Sequence, residues 1–312
     1  YGDHRDLHYP LRRQRQMCIR DRNLYAAERE IKAKYPKLDC TFLLGDIRDA
    51  EAIEFVFEQY RPSHVYHAAA YKHVPILENY LREAVSNNVL GTKLVADAAA
   101  RFECETFVLI STDKAVKPSS IMGATKRIAE LLCAYKNTQA STNFITVRFG
   151  NVLGSTGSVV PLFRSQIEDG GPVTVTHPAA RRYFMTVSEA SQLILEASTA
   201  GLGGEVFVLD MGEPVNIRYL AEQVIRLSGR IPDKDVRIDY IGLRPGEKLD
   251  EELFHADEEL SQTKHDKLLL STSAAKGAKS VEREVLRLKE LVRLYDEPGI
   301  HSLLKKIIPT LR

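Results

Sequence analysis

Cysteine is scarce. The chain has four in 312 residues, Cys18, Cys40, Cys104 and Cys133, and no CxxC pair among them. That spacing excludes a disulfide framework and a zinc ribbon, and it fits reduced thiols in a cytoplasmic setting. Nine histidines likewise show no ligand spacing, so no metal is expected. No run reaches about 18 consecutive apolar residues, which leaves no transmembrane helix within the chain. Charge of one sign is not in excess either. Lys and Arg number 43 against 42 Asp and Glu, a net charge of +1, whereas nucleic-acid-binding surfaces show a basic surplus. What is present is ordinary for a protein that buries a core: 44% hydrophobic and 8% aromatic residues. The length suits one large α/β domain, or a domain with an appendage.

Residues 1–22 stand apart. They hold six Arg and three Asp, have no apolar period of either kind, and lack the organisation of a signal peptide. The ending Met17-Cys18-Ile19-Arg20-Asp21-Arg22 matches the translation of a transposon-derived sequencing adapter. This head is expected to be non-native or disordered and is set aside.

From Asn23 helical and strand patterns alternate. Helices are expected over Asn23–Lys34, Ala50–Tyr60, Leu81–Phe102 and Ile121–Lys136, with strands at Cys40–Leu44, His64–Ala68, Thr106–Ser111 and Phe144–Phe149. Continuous apolar strands alternating with helices mark parallel strands covered on both faces. Right-handed crossovers then build a doubly wound α/β sheet of the Rossmann-like type over residues 23–150. After Gly150 glycine and proline punctuate the chain more often. Residues 151–270 read as a smaller substrate lobe with some segments returning to the sheet: a strand at Glu205–Leu209, a helix at Ile217–Leu227 and a strand at Val236–Ile241. Residues 271–312 read as a helical tail, amphipathic over Val281–Tyr295, which caps the lobe or meets a partner.

In an open parallel sheet, ligands sit at the carboxyl ends of the strands. Asp46, following CTFLL, has two uses there: an acceptor for an adenine amino group, or a cap for the helix starting near Asp49, the commoner case. His67-Ala68-Ala69-Ala70 lets a ligand approach the backbone, although an Ala run is also plain helix material. Ser111-Thr112-Asp113-Lys114 is the strongest signal, because it sets an acid and a base side by side at a strand end. Lys126 follows on the next helix, after Met122, and either reaches back over the strand ends or is one surface lysine among many.

The series ISTDKAV, MGATK, RFGNVLGSTGSVVPLF, RRYFMT, FVLDMGEPV and GLRPGEK, in that order from Asn23 to the closing IIPTLR, resembles the UDP-N-acetylglucosamine 4,6-dehydratases of bacterial polysaccharide biosynthesis. These belong to the extended short-chain dehydrogenase/reductase superfamily. Two departures stand out. The family opens on a strand and a GxxGxxG turn whose amides hold the cofactor pyrophosphate; no such turn precedes Asn23, so the first βαβ portion is expected to be missing by N-terminal truncation. Gly154-Ser-Thr-Gly157 follows a late strand and belongs to the substrate side. Met122 stands where the superfamily has the Tyr of YxxxK, and a thioether neither gives nor takes a proton. That replacement resembles the long branch whose transmembrane helices precede the catalytic region, which would place the complete protein at the cytoplasmic face of the inner membrane.

The resemblance implies NAD, or NADP, as cofactor, a UDP-sugar as substrate and a homo-oligomer, with no nucleic acid. It implies cofactor contacts at Asp46, Ile47, Ala68, Ala69, Ala70, Lys72, Asn88, Ser111 and Lys126. It makes Asp113 the acid toward the C6 hydroxyl and Lys114 the base at C5, with Thr112 on the C4 oxygen and Lys126 on the nicotinamide ribose. Such a lysine base needs a depressed pKa. Substrate contacts fall on Asn151, Arg182, Arg244 and Glu247, with Thr174 near the uracil. A related 4-epimerase and a non-catalytic fragment or scaffold are the alternatives.

Overall fold

The computed structural model describes residues 21, 23–155, 157–255, 258–271 and 278–311; the head, apart from Asp21, lies outside them. Residues 23–34 form helix α1. The runs richest in β-branched and aromatic residues become the central strands: β1 (His64–His67), β2 (Thr106–Ile110), β3 (Asn143–Arg148) and β8 (Val206–Leu209). They pair in parallel, Phe107 beside Phe144 and Val147 beside Phe207. Two antiparallel strands close the far side, β12 (Leu268–Ser271) on β8 and β11 (Leu260–Gln262) beyond it, giving the order β1-β2-β3-β8-β12-β11.

Alternate side chains feed two cores. On one face Phe107, Leu109 and Phe144 meet Phe57 of α2 (Ala50–Tyr60), Ala96 and Ala99 of α5 (Thr92–Arg101), and Ala129 and Cys133 of α6 (Ile121–Asn137). On the other face Val108, Ile145 and Val147 meet Leu193 and Ala197 of α8 (Val187–Ala200). The expected doubly wound α/β sheet is therefore present.

Three expectations are corrected. Cys40–Leu44 is not a buried strand: the stretch carries no regular structure, and Leu43 and Leu44 are exposed. No strand among the described residues runs beside it, and an apolar run without a ladder partner leaves its backbone groups to water. Asp46 is not the cap of α2; Asp49 is, its carboxylate accepting from Ala52 N. The strand expected at Val236–Ile241 appears as β10 (Ile238–Tyr240), paired in parallel with β5 (Val173–Val175) outside the main sheet. There α7 (Val159–Glu168) and α9 (Ile217–Leu227) close a separate core on Phe163, Ile225 and Ile238.

The tail folds back on the first half of the chain. In α10 (Ala278–Arg293), Val281, Val285, Leu288 and Val292 recur at helical spacing and are buried. With Leu303 and Leu304 of α11 (Glu297–Ile307) they pack on Ile128, Leu131 and Leu132 of α6 and on Val85 of α4 (Leu81–Val85). The long helix expected over Leu81–Phe102 is continuous from α4 to α5 but widens to a π-turn at Ser86–Gly91. That turn brings Asn88 inward. Its side chain accepts from Tyr71 N (2.8 Å) and donates to Tyr71 O (2.9 Å) and to Thr125 Oγ1 (3.1 Å), tying the loop after β1 to α6.

Candidate active site

Thr112–Lys114 form a tight turn at the carboxyl end of β2. Thr112 caps it, its hydroxyl accepting from Lys114 N, and Asp113 N donates to Phe149 O at 3.1 Å. Asp113 is completely buried. Its Oδ1 accepts from the Thr112 hydroxyl (2.8 Å) and from Lys114 Nζ (2.9 Å), while Oδ2 is buried without a partner. Lys114 Nζ also reaches Asn151 Oδ1 at 3.5 Å, at the start of β4 (Asn151–Val152).

Helix α6 starts beside this turn. Ser120 caps it through Gly123 N (3.1 Å), and the Glu78 carboxylate accepts from Ile121 N (2.7 Å). A Cβ on Gly123 would lie 2.2 Å from the Lys114 carbonyl oxygen, so only glycine allows helix and turn to touch. Gly123→Ala is expected to cost about 2 kcal/mol or more of unfolding free energy through overpacking against rigid backbone, measured by urea denaturation. Met122 and Lys126 are four residues apart, hence on one face of α6, and both line a cavity of about 490 Å³.

That cavity collects most of the expected residues: Ala68, Ala70, Lys72, Ser111, Thr112, Lys114, Met122, Lys126, Asn151, Thr174, Arg182, Arg244 and Glu247. Asp113 lies beneath it. Four others are elsewhere. Asp46 is gripped by Arg48, which also bridges to Glu83. Ile47 packs on the first core and fills the space over Gly91. Asn88 acts on the loop instead of on the cavity, and Ala69 is not on its wall.

Several lining groups are already engaged. The Ser111 hydroxyl donates to buried Glu130 (2.6 Å). The Thr174 hydroxyl accepts from Gln166 (2.8 Å). Arg182 spends its guanidinium on the carbonyls of Arg181, Lys248 and Leu249, so it braces the loop after residue 247 instead of offering a free fork. Glu247 accepts from Arg244 N at 3.2 Å, a turn contact that leaves the Arg244 side chain with no hydrogen-bond partner among the described residues.

The two lysines diverge electrostatically. Burial pushes Lys126 down to about 8. Burial also pushes Lys114 down, but the Asp113 and Glu251 carboxylates outweigh it, and Lys114 is held charged above its ordinary value. The expected depressed lysine at position 114 is thus corrected: in the site as it stands the depressed one is Lys126, which has no carboxylate within hydrogen-bonding reach.

Sequence reasoning missed Glu251 altogether. It is buried, its Oε1 lies 3.8 Å from Lys114 Nζ, and its Oε2 has no partner. The run of acids in KLDEEL reads as surface charge, and nothing local marks which of them turns inward. Arg148 was also passed over, although a charge inside the apolar strand FITVRF signals a buried ion pair.

A family model described as "Polysaccharide biosynthesis protein" matches residues 14–273. The chain belongs to this family. Capsular polysaccharide biosynthesis protein CapD of Staphylococcus aureus is 51% identical over 250 residues, 80% of this chain and 42% of that one. Probable polysaccharide biosynthesis protein EpsC of Bacillus subtilis is 54% identical over 69% of this chain and 36% of its own length. The chain thus spans less than half of either relative. A UDP-glucose 4-epimerase of Rickettsia canadensis is 36% identical over 72% of this chain and 64% of that protein. Among solved structures, Pen of Bacillus thuringiensis superposes with a TM-score of 0.74 at 34% identity, covering 82% of this chain and 79% of its own. DesIV of Streptomyces venezuelae, a dTDP-glucose 4,6-dehydratase solved with NAD and DAU bound, shares the fold at a TM-score of 0.66 and 22% identity, covering 73% and 74%. The expected polysaccharide biosynthesis family and the Rossmann-like doubly wound fold are borne out.

The donors present fit one end of a nicotinamide dinucleotide. Lys126 and Lys72 line the cavity without hydrogen-bond partners among the described residues, beside the small wall of Ala68 and Ala70. Ahead of β1 no glycine-rich turn from a strand into a helix N-terminus, such as would cradle the pyrophosphate, occurs among the described residues; Gly154 and Gly157 stand in such a turn, but between β4 and α7. Among those residues, too, no cluster of three or more His, Cys, Asp or Glu could hold a metal, and no helix is long and apolar enough to cross a membrane.

Proposed function

We propose that this chain carries the acid–base and sugar-holding part of a nucleotide-sugar 4,6-dehydratase, acting on UDP-N-acetylglucosamine in bacterial polysaccharide biosynthesis. One observation carries the reading: a buried carboxylate and a lysine, Asp113 and Lys114, joined at 2.9 Å at the carboxyl edge of the sheet, with Lys114 on the cavity wall and Asp113 behind it. Water elimination across C5 and C6 needs that pair, a base for the C5 proton and an acid for the leaving C6 hydroxyl.

A nicotinamide dinucleotide, when bound, supplies the oxidation at C4 that acidifies the C5 proton and the reduction at C6 that completes the cycle. Lys126 and Lys72 are the side chains of this chain that would hold it. The Thr112 hydroxyl hydrogen-bonds the C4 oxygen. Asp113 and Lys114 divide the remaining work, and the 2.9 Å hydrogen bond from Lys114 Nζ to Asp113 Oδ1 lets a proton pass from one to the other. That transfer leaves a neutral amine to take the C5 proton and a carboxylic acid to protonate the C6 hydroxyl. On the far side Arg244 meets the diphosphate and Glu247 a ribose hydroxyl, with Asn151 and Thr174 toward the sugar and the base.

The Rickettsia relative favours a second reading, a 4-epimerase. The Asp113–Lys114 pair opposes it, since water elimination needs an acid and a base together and epimerisation at C4 does not; Met122 does not separate the two, because oxidation at C4 in either reaction releases a hydroxyl proton that a thioether cannot take. The same assay separates the two. Incubation of the chain with UDP-N-acetylglucosamine and NAD is expected to give a product lighter by one water in the mass spectrum. A product of unchanged mass and inverted C4 would establish the epimerase. A chain that binds UDP yet returns the sugar untouched, and still does so when a glycine-rich cofactor-binding segment is joined ahead of it, would sink both enzyme readings and leave a non-catalytic scaffold.

A further inference from the structure

Glu251 is the buried carboxyl next to the acid–base pair that the proposed chemistry leaves unused. It is 7% exposed and belongs to the segment that begins at Arg244 and Glu247, the residues assigned to the nucleotide. Three side chains crowd one small volume: Asp113, Lys114 between the two carboxyls, and Glu251. Each carboxyl keeps one buried oxygen without any hydrogen-bond partner, Asp113 Oδ2 and Glu251 Oε2. Buried orphan oxygens are costly, and in a group of two carboxyls and one amine the number of bound protons decides that cost.

We propose, building on the dehydratase reading, that Glu251 is a positioning residue that sets the charge of Lys114 from the substrate lobe, so that the loop holding the nucleotide also governs when the lysine can act as a base. The groups facing Lys114 are few and all named: Asp113 from its own turn, Asn151 from β4, Arg182 from β6 (Arg181–Arg182), and Glu251. Glu251 in turn faces Lys114, Asp113, Arg182 and Lys248. Burial, with Asp113 adding to it, raises Glu251 above the ordinary carboxylate range, so this carboxyl takes up a proton more readily than a surface acid. The loop is fastened from behind by Arg182 on the carbonyls of residues 248 and 249, and by Lys248 Nζ on Val116 O (3.0 Å), next to the catalytic turn. A shift of the loop on nucleotide binding therefore moves Glu251 relative to Lys114. Protonating Glu251 or withdrawing it lowers the proton affinity of Lys114 and favours the neutral amine.

The test reads Lys114 itself. Lysine side-chain NMR titration of the full chain, with the Lys114 signal assigned through Lys114→Arg, is compared for wild type and Glu251→Gln. The glutamine keeps the shape and removes the charge, and Lys114 is expected to titrate lower by about one pH unit or more. An unmoved titration overturns the proposal, and a change in Tm alone would mark Glu251 as structural. If Glu251→Gln does not fold, Glu251→Asp keeps the charge but withdraws it, and a smaller downward shift is expected; no shift there also overturns the proposal. In the dehydration assay the ascending limb of kcat against pH is expected to move to lower pH in Glu251→Gln, with KM changed less than about threefold. Failure of wild type to dehydrate the sugar even with a glycine-rich cofactor-binding segment joined ahead of it refutes the dehydratase reading while the NMR arm still reports the coupling, so the two failures are distinguishable.

Discussion

Lys114→Met is expected to lower the turnover of UDP-N-acetylglucosamine by about 10³-fold or more, while the affinity for UDP changes little. A positioned general acid or base contributes about 10²–10⁴-fold, and here one substitution disables both partners. Methionine keeps the length of the side chain and cannot exchange a proton. It also strands Asp113, whose Oδ1 then retains the Thr112 hydroxyl alone and whose Oδ2 is already without a partner. A buried carboxylate that loses its cation is left with an uncompensated burial cost, so the acid that should serve C6 is disturbed as well. Asp113→Asn separates the two effects: Lys114 keeps a hydrogen-bonding neighbour, yet no acid remains for the C6 hydroxyl. A comparable fall in kcat is expected, with the titration of Lys114 moved downward because its first carboxylate is gone. The measurement is single-turnover formation of the 4-keto-6-deoxy product by mass spectrometry. Near-normal turnover in both variants would remove the pair from the mechanism.

How much of this was legible in the sequence depends on what each feature obeys. The central strands were readable because TFVLI and FITVRF are apolar on both faces, which only a covered parallel strand requires. CTFLL satisfies the same rule and forms no strand, because a ladder is a property of two segments and its partner does not lie among the described residues. The cavity residues were found through motif order, and the sheet topology explains why order suffices: the turns after β1, β2 and β3 open on the same edge, so Ala68, Thr112 and Asn151 converge although they are distant in the chain. Charge states were not legible. The sequence suggests that a lysine base should have a lowered pKa, and two lysines were candidates; which one is lowered depends on whether a carboxylate stands within a few ångströms. For Lys114 those carboxylates are the adjacent Asp113 and, from more than a hundred residues away, Glu251. Arg182 shows the same limit, since an arginine suited to a diphosphate is spent on the backbone carbonyls of a loop that no local pattern places beside it.

The second large effect is on stability. Arg148 is wholly buried in β3 and forms a double fork: Nε and Nη2 donate to Glu130 of α6 (2.8 and 2.7 Å), and Nη1 donates to both oxygens of Glu258 (3.0 and 2.8 Å). Glu130 also accepts from Ser111 (2.6 Å) and Arg127 (2.9 Å), and Glu258 accepts from His255 N (3.1 Å). One guanidinium thus joins the end of β2, helix α6 and the segment leading to β11. Removing it leaves two buried carboxylates without their main cation, and Arg148→Met is expected to cost about 3–5 kcal/mol at pH 7 in urea unfolding. The pH dependence identifies the cause. Burial raises Glu130, but the Arg148 charge and hydrogen bonds outweigh it and hold the carboxyl down at about 2. A depressed folded-state value means stability that is complete above the ordinary 4.5 and is lost as the pH falls from there toward about 2. In Arg148→Met that contribution is absent, and the stranded carboxyls bear their burial without the Arg148 charge to offset it. Acidification from pH 7 to pH 4.5 relieves their buried charge, so the deficit of the variant is expected to shrink over that interval while wild type stays level with respect to this group. A deficit that stays constant with pH would mean lost packing volume instead of stranded charge, and one below about 1 kcal/mol would show that the network is no more stabilising than an apolar contact.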